Sequence, residues 1–239
     1  MPSSIKQAIN AGFDKIVFIV GEKTEVPFRE MFGNEYKSTP IFYAKQTFDP
    51  EMRDKPWGTT DALVSSIKVI NENFVVCNGD DIYGENALKT AHDFLLKNNS
   101  GVSIGYKIKN VIPDKGAVNR GIYKIDKEKN IINIEEVFDI SKTNLLEKNL
   151  TEDSLCSMNL FGLPKGVLLH LEKILNEFKE KNKEDRKIEC LLPVELGNLI
   201  KENKLQIKLI ETNDKWFGVT NPDDEEKVRN ELAAQHQEN

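Results

Sequence analysis

Short apolar runs alternate along this chain with longer stretches of helical spacing, the pattern of a protein that interleaves strands and helices. Residues 15–20 end in an unbroken apolar run, Ile16-Val17-Phe18-Ile19-Val20, which predicts a strand of the parallel kind covered on both faces. Before it, Ser4-Ile5-Lys6-Gln7 fits a capping box, and Gly12 closes the short helix that follows. Residues 25–32 read as a helix stopped by Gly33, and residues 40–44 as a strand. Thr60 caps a predicted helix with Asp61 in its first turn and Ala62, Leu63, Ile67 and Ile70 on one face. A strand starting at Phe74 comes next, then a helix over residues 85–97.

The middle of the chain changes character. Val102, Ile104, Tyr106 and Ile108 alternate with polar or small residues, which predicts a half-exposed strand. Residues 121–125 and 131–137 are placed to pair around the polar run 126–130, and residues 158–163 form another strand. Helices return at 166–181 and at about 194–203, with a strand at 205–210. Asn221-Pro222-Asp223-Asp224 has the chemistry of a helix start: a cap, a proline in the first turn, and acids against the positive end of the dipole. The charged stretch 179–187 reads as a solvated loop. The order predicts an α/β fold with a mostly parallel sheet flanked by helices and a small antiparallel insertion in its second half. Residues 1–239 read as one domain.

Net charge is −6, with acids and bases interspersed, which argues against nucleic acid or an anionic membrane as the main partner. A phosphorylated substrate remains open, because a metal or a few basic side chains can hold one. Cys77, Cys156 and Cys190 are far apart with no C-x-x-C pair, so they read as thiols of a reducing compartment. His92, His170 and His236 show no metal-ligand spacing. The run 16–20 is far too short to span a bilayer, and the amino end shows no secretory signal, so a cytoplasmic location is expected.

The segment richest in chemistry is Phe74-Val75-Val76-Cys77-Asn78-Gly79-Asp80-Asp81-Ile82-Tyr83-Gly84. An apolar strand delivers two adjacent carboxylates to a glycine-punctuated turn. Two readings are open. Ligands of α/β sheets sit at the carboxyl ends of strands, where such carboxylates hold Mg²⁺ against a phosphate. Asp and Gly are also ordinary turn residues.

Four segments in order resemble the nucleotidyltransferases of the sugar-nucleotide pyrophosphorylase type: Ala8-Ile9-Asn10-Ala11-Gly12-Phe13-Asp14-Lys15-Ile16-Val17-Phe18, Lys55-Pro56-Trp57-Gly58-Thr59-Thr60-Asp61-Ala62-Leu63, Asn78-Gly79-Asp80-Asp81-Ile82-Tyr83-Gly84, and Lys215-Trp216-Phe217-Gly218-Val219-Thr220. Ser157-Met158-Asn159-Leu160-Phe161-Gly162 is similar to the segment that meets the sugar in such proteins. Each motif is weak alone; order and spacing carry the resemblance, which runs over nearly the whole chain. It implies a Rossmann-like sheet similar to that of glycosyltransferases. It also implies a Mg²⁺-dependent reaction in which a sugar 1-phosphate attacks the α-phosphorus of a nucleoside triphosphate, giving a nucleoside diphosphate sugar and pyrophosphate.

The resemblance assigns roles residue by residue. Asp80 matches the metal-binding, catalytic aspartate, with Asp81 beside it as support or as a turn residue. Gly58 and Thr59 match the loop that approaches the nucleobase, with Trp57 stacking or packing there. Glu136 and Asn159 match sugar-binding positions. Thr220 stands where many relatives place a second, carboxylate metal ligand, and Asn221 reads as a cap. Val137 stands where many carry a basic residue for the sugar phosphate, which leaves Arg120 and Lys215 as candidate substitutes. The leading strand and glycine-rich basic loop of the family have no counterpart, so the sequence reads as amino-terminally incomplete. A non-catalytic nucleotide-sugar-binding module is therefore a competing expectation. A glycosyltransferase is disfavoured, because its D-x-D motif is replaced by adjacent acids.

Overall fold

A computed structural model of the protein describes residues 2–84 and 86–218. The chain runs α1 (Pro2–Ala11), β1 (Ile16–Val20), α2 (Glu22–Phe32), β2 (Glu35–Tyr36), β3 (Thr39–Lys45), α3 (Thr59–Val64), β4 (Phe74–Val76), β5 (Asp81–Ile82) and α4 (Ala87–Lys97). It continues with β6 (Gly101–Lys107), β7 (Val118–Ile125), β8 (Ile131–Ile140), β9 (Leu155–Leu163), α5 (Val167–Lys181), α6 (Leu192–Lys201), β10 (Ile207–Glu211) and β11 (Phe217–Gly218). No helix of the described residues is long and apolar enough to cross a membrane. The proposed helix start at Asn221 lies outside the described residues.

Two sheets carry the fold. A three-stranded sheet has the order β1-β3-β2, with β1 and β3 parallel. A six-stranded sheet has the order β10-β6-β9-β7-β8, and β4 adds to β9. In it β10 and β6 are parallel and the other pairs antiparallel. The mixed α/β architecture holds, and antiparallel ladders take a larger share of it than the small insertion expected. Lys15 reaches from the start of β1 to Glu72 (2.6 Å) and Asn71 (3.0 Å) just before β4, so the two sheets begin side by side.

Three local expectations are corrected. Ser4 does not cap α1, which begins at Pro2; its hydroxyl donates instead to the Asp81 carbonyl at 3.1 Å. β1 was expected to be covered on both faces, yet Val20 is its only fully buried residue. Among the described residues it has one strand neighbour, β3, so no second ladder shields it. Conversely, β6 was expected to be half exposed and is buried from Gly101 to Tyr106. It lies between β10 and β9 with α4 packed on it, and its polar Ser103 is satisfied by Tyr123 (2.7 Å) and the Leu160 carbonyl (3.0 Å).

The main core forms on the two faces of the large sheet. Ile104, Tyr106, Ile140 and Leu160 join Ala91 of α4 on one side. Phe161 and Leu163 join Leu171 of α5 and Leu196 of α6 on the other. β9 changes partner along its length. Its start pairs with β7 at Ile122–Cys156, and its end pairs with β4 at Val76–Phe161. Between them the ladder to β6 slips, leaving residues 158–160 opposite Ile104 alone. β7 and β4 therefore part around a bulge, and a fork opens in the sheet.

Candidate active site

That fork holds a cavity of about 450 Å³. Its walls come from the turn after β4 (Asn78, Asp80, Asp81), from residues 118–121 on β7, from Glu136 on β8, and from residues 157–159 on β9. Thr59, Leu191, Pro193 and Trp216 complete it. The bulge aims Asn159 into this space. Its backbone has φ 59°, a left-handed conformation that a non-glycine residue holds only when its surroundings enforce it. The Ser157 hydroxyl takes up the displaced Asn159 N–H at 3.1 Å.

The two adjacent carboxylates divide their roles. Asp81 is buried at 4% exposure. Its Oδ2 accepts from Asn78 Nδ2 at 2.9 Å and from the Tyr83 hydroxyl at 3.2 Å. Tyr83 also accepts the Asn78 N–H (2.9 Å) and donates to the Met158 carbonyl (2.8 Å), tying the turn to the bulge. Burial raises the Asp81 carboxyl above its usual range, against the lowering effect of Asn78. Asp80 is exposed on the cavity wall, and its carboxylate makes no hydrogen bond or ion pair among the described residues. Hence Asp81 fastens the turn while Asp80 faces the cavity, its oxygens unpaired among the described residues.

The loop before α3 has a different logic. Arg53, only 2% exposed, donates to the carbonyls of Lys55 (3.1 Å), Asp185 (2.7 Å) and Ile188 (2.5 Å), and its guanidinium lies 3.4 Å from the Trp57 ring centre. Phe178 meets the same ring edge-on at 6.2 Å. Trp57 thus packs within the protein and does not line the cavity. Gly58 sits at φ 99°, and a Cβ there would lie 2.7 Å from the Cys190 carbonyl, so glycine is required for the close approach of the two backbones. Thr59 reaches the cavity, and its hydroxyl accepts the Leu192 N–H at 2.9 Å, joining this loop to the start of α6. The stretch 179–187, expected to be solvated, helps build this loop. Lys179 pairs with buried Asp61 at 2.5 Å, and Arg186 with Asp54 at 2.8 Å.

Opposite Asp80, Gly121 pairs with Glu136 across the β7–β8 ladder, and Arg120 pairs with Val137. Burial raises the Glu136 carboxyl, with Arg120 opposing that shift. Trp216 is carried in by two contacts. β11 pairs with β5, and Asp214 caps α4 by accepting from Asn86 N (2.7 Å) and Ala87 N (2.9 Å). Gly84, at φ 90°, makes room: a Cβ there would meet Asp214 at 2.3 Å. Of the expected site residues, Asp80, Asp81, Thr59, Glu136 and Asn159 line one cavity. Gly58 and Trp57 stand behind it, and Thr220 lies outside the described residues. Leu191 and Pro193 were not anticipated and carry no sequence signal. Trp216 sits in a motif that names it, and Asn78 in the turn that carries the acids.

Similarity to known proteins agrees with this geometry. The model of the nucleotidyl transferase family matches residues 1–235. The bifunctional protein GlmU of Methanococcus vannielii is 26% identical over 218 residues, which are 91% of this chain and 44% of that protein. The chain thus spans less than half the length of this curated relative. Among solved structures, a UDP-glucose pyrophosphorylase complexed with UDP-glucose superposes with a TM-score of 0.64 at 17% identity, covering 98% of this chain and 86% of the other. The inositol-1-phosphate CTP transferase of T. maritima gives 0.63 at 14% identity, covering 93% and 77%. The structural likenesses establish the fold, and the family match over almost the full length shows that this chain belongs to the nucleotidyl transferase family.

Proposed function

We propose that this protein transfers a nucleotidyl group from a nucleoside triphosphate to a sugar 1-phosphate, releasing pyrophosphate. The observation that carries the reading is the convergence of Asp80, Thr59, Glu136 and Asn159 on one cavity at the fork of the large sheet. The names of the two solved neighbours, one holding UDP-glucose and one acting on inositol 1-phosphate, support a phosphorylated sugar-like acceptor.

In this reading an oxygen of the sugar phosphate forms a bond to the α-phosphorus, and the bond to the β-phosphate oxygen breaks. Pyrophosphate carries away that electron pair, so no proton need be abstracted from carbon or nitrogen. The protein's task is to align two anions. Glu136 and Asn159 accept and donate hydrogen bonds to the sugar. Thr59, backed by Gly58, positions the nucleotide. The Asn78–Asp81–Tyr83 network fixes the turn that presents Asp80.

The donor set fits magnesium. Asp80 offers an unengaged carboxylate, and no cluster of three His, Cys, Asp or Glu among the described residues could hold a metal alone. This matches an ion bound by one or two carboxylates plus substrate phosphates and water. When bound there, Mg²⁺ supplies neutralisation of phosphate charge. A second reading, a module that binds a nucleotide sugar without turnover, draws on the cavity's charge: Asp80, Asp81 and Glu136 face a single basic side chain, Arg120, among the described residues.

A coupled pyrophosphate-release assay over the common nucleoside triphosphates and sugar 1-phosphates, with Mg²⁺, tests both. Turnover by at least one pair is expected, with Asp80→Ala lowering kcat by about 100-fold or more while the far-UV circular dichroism stays unchanged. Near wild-type turnover in that variant removes Asp80 from the mechanism. Calorimetric binding of a nucleotide sugar without any turnover selects the second reading. A chain that binds no nucleotide with Mg²⁺ sinks both.

A further inference from the structure

The loop that brings Thr59 to the cavity leans on the connection between α5 and α6. Residues 54–60 and 186–192 run side by side in the same direction. Asp54 N donates to the Arg186 carbonyl (3.1 Å), Cys190 N to the Trp57 carbonyl (2.7 Å), Thr60 N to the Cys190 carbonyl (3.1 Å), and Leu192 N to the Thr59 hydroxyl (2.9 Å). Neither stretch belongs to a sheet, so side chains supply the rest of the joint. At the surface Lys55 pairs with Glu189 (2.5 Å) and Arg186 with Asp54 (2.8 Å). Arg53 stands inside. Its Nε donates within the first stretch, to the Lys55 carbonyl, while Nη1 and Nη2 cross to the carbonyls of Asp185 and Ile188. Its plane lies on the Trp57 ring.

A guanidinium taken out of water is costly unless its N–H groups are satisfied, and here three carbonyls do that. Asp185 adds charge. Its carboxylate is drawn below its usual range first by the N–H groups of Lys187 and Ile188, and further by Arg53. A lysine ammonium is a single point donor and cannot span three carbonyls set around a plane. Arg53 lies behind the cavity, yet what it clamps is a cavity wall: Thr59 comes from one stretch, and Leu191 and Pro193 from the other. The facing residues Glu136 and Asn159 are held by the separate ladders of β8 and β9. One wall can therefore be loosened without the other.

We infer that Arg53 is a positioning residue for the nucleotide: it clamps Trp57-Gly58-Thr59 against residues 185–192 and so sets one wall of the cavity before the triphosphate arrives. This deepens the transfer reading above and rests on it. A wall held in advance lowers the ordering cost of binding, so its loss weakens the triphosphate and spares the sugar phosphate.

The test is calorimetric binding by the full chain. The common nucleoside triphosphates are titrated with Mg²⁺. Glucose 1-phosphate, mannose 1-phosphate and N-acetylglucosamine 1-phosphate are titrated alone and into chain saturated with an α,β-methylene triphosphate. For whichever triphosphate binds wild type best, Arg53→Gln should raise Kd by about 10- to 100-fold. Arg53→Lys, which keeps the charge but not the fork, should raise it by about 10-fold. Sugar-phosphate affinity should stay within about twofold, a split that a general loss of stability does not produce. Circular dichroism and melting temperature report whether the variants fold. If neither Arg53 variant does, Arg186→Gln at the surface of the same joint decides by the same split, with an expected rise of about threefold in triphosphate Kd. Equal weakening of both ligand classes, or weakening of the sugar phosphate alone, would assign the joint to the scaffold or to the sugar and overturn the inference. So would unchanged triphosphate affinity in the folded variants, which leaves the transfer reading standing. A wild-type chain that binds no ligand of one class overturns the transfer reading itself.

Discussion

In the three-stranded sheet, β1 is made of five apolar residues and buries Val20 alone, whereas β6 of the large sheet includes two glycines and a serine and buries six of its seven residues. Hydropathy ranks these strands in the opposite order from burial. The difference lies in their neighbours. β6 has a strand on each side and a helix on one face, and both of its hydroxyls, on Ser103 and Tyr106, are hydrogen-bonded. β1 has one ladder among the described residues and an aromatic cluster beneath it, in which Phe18 meets Phe28 edge-on at 5.2 Å and Phe32 at 5.1 Å. A strand's environment is thus set by what the chain returns to it from elsewhere. The site lies in the well-covered sheet, at the place where β9 exchanges one partner for another.

Native-state hydrogen exchange reads this contrast at its largest. Amides of β1 that point away from β3 should show protection lower by about 10³-fold or more than those of β6 and β9. Equal protection would mean that β1 gains a second ladder in solution. Urea unfolding gives the next effect. Leu160→Ala, at a position with 0% exposure in β9, should cost about 3 kcal/mol, against about 1 kcal/mol or less for the half-buried Val17→Ala in β1. Similar losses would erase the distinction between the sheets. Between these values, Ser103→Ala should cost about 1–2 kcal/mol, because it strips the buried Tyr123 hydroxyl of its partner. A neutral result would show that Tyr123 finds another acceptor.

Much of this was legible from residue order. The segment from Phe74 to Gly84 announced a strand ending in carboxylates, and the matching motifs carried Thr59, Glu136 and Asn159 to the same cavity. Other assignments were not. Trp57 offers the same ring to a nucleobase or to Arg53, and only the fold brings Arg53 and Phe178 to it. Asp214 looks like any loop acid, yet it caps α4 from more than a hundred residues away and seats Trp216. The charged run 179–187 carries no mark of its ties to Asp61 and Asp54.

Residue order by itself determined the alternation of strands and helices and the presence of a carboxylate turn at a strand exit, because periodicity and turn chemistry act over a few neighbouring residues. Tertiary structure decided which of two identical carboxylates is left without a partner among the described residues. Asp81 is claimed by Asn78 and Tyr83, and Asp80 is left to the cavity. It also decided which strand is buried and that Arg53 is withdrawn from water. Those outcomes depend on partners distant in the chain, whose approach no local pattern encodes.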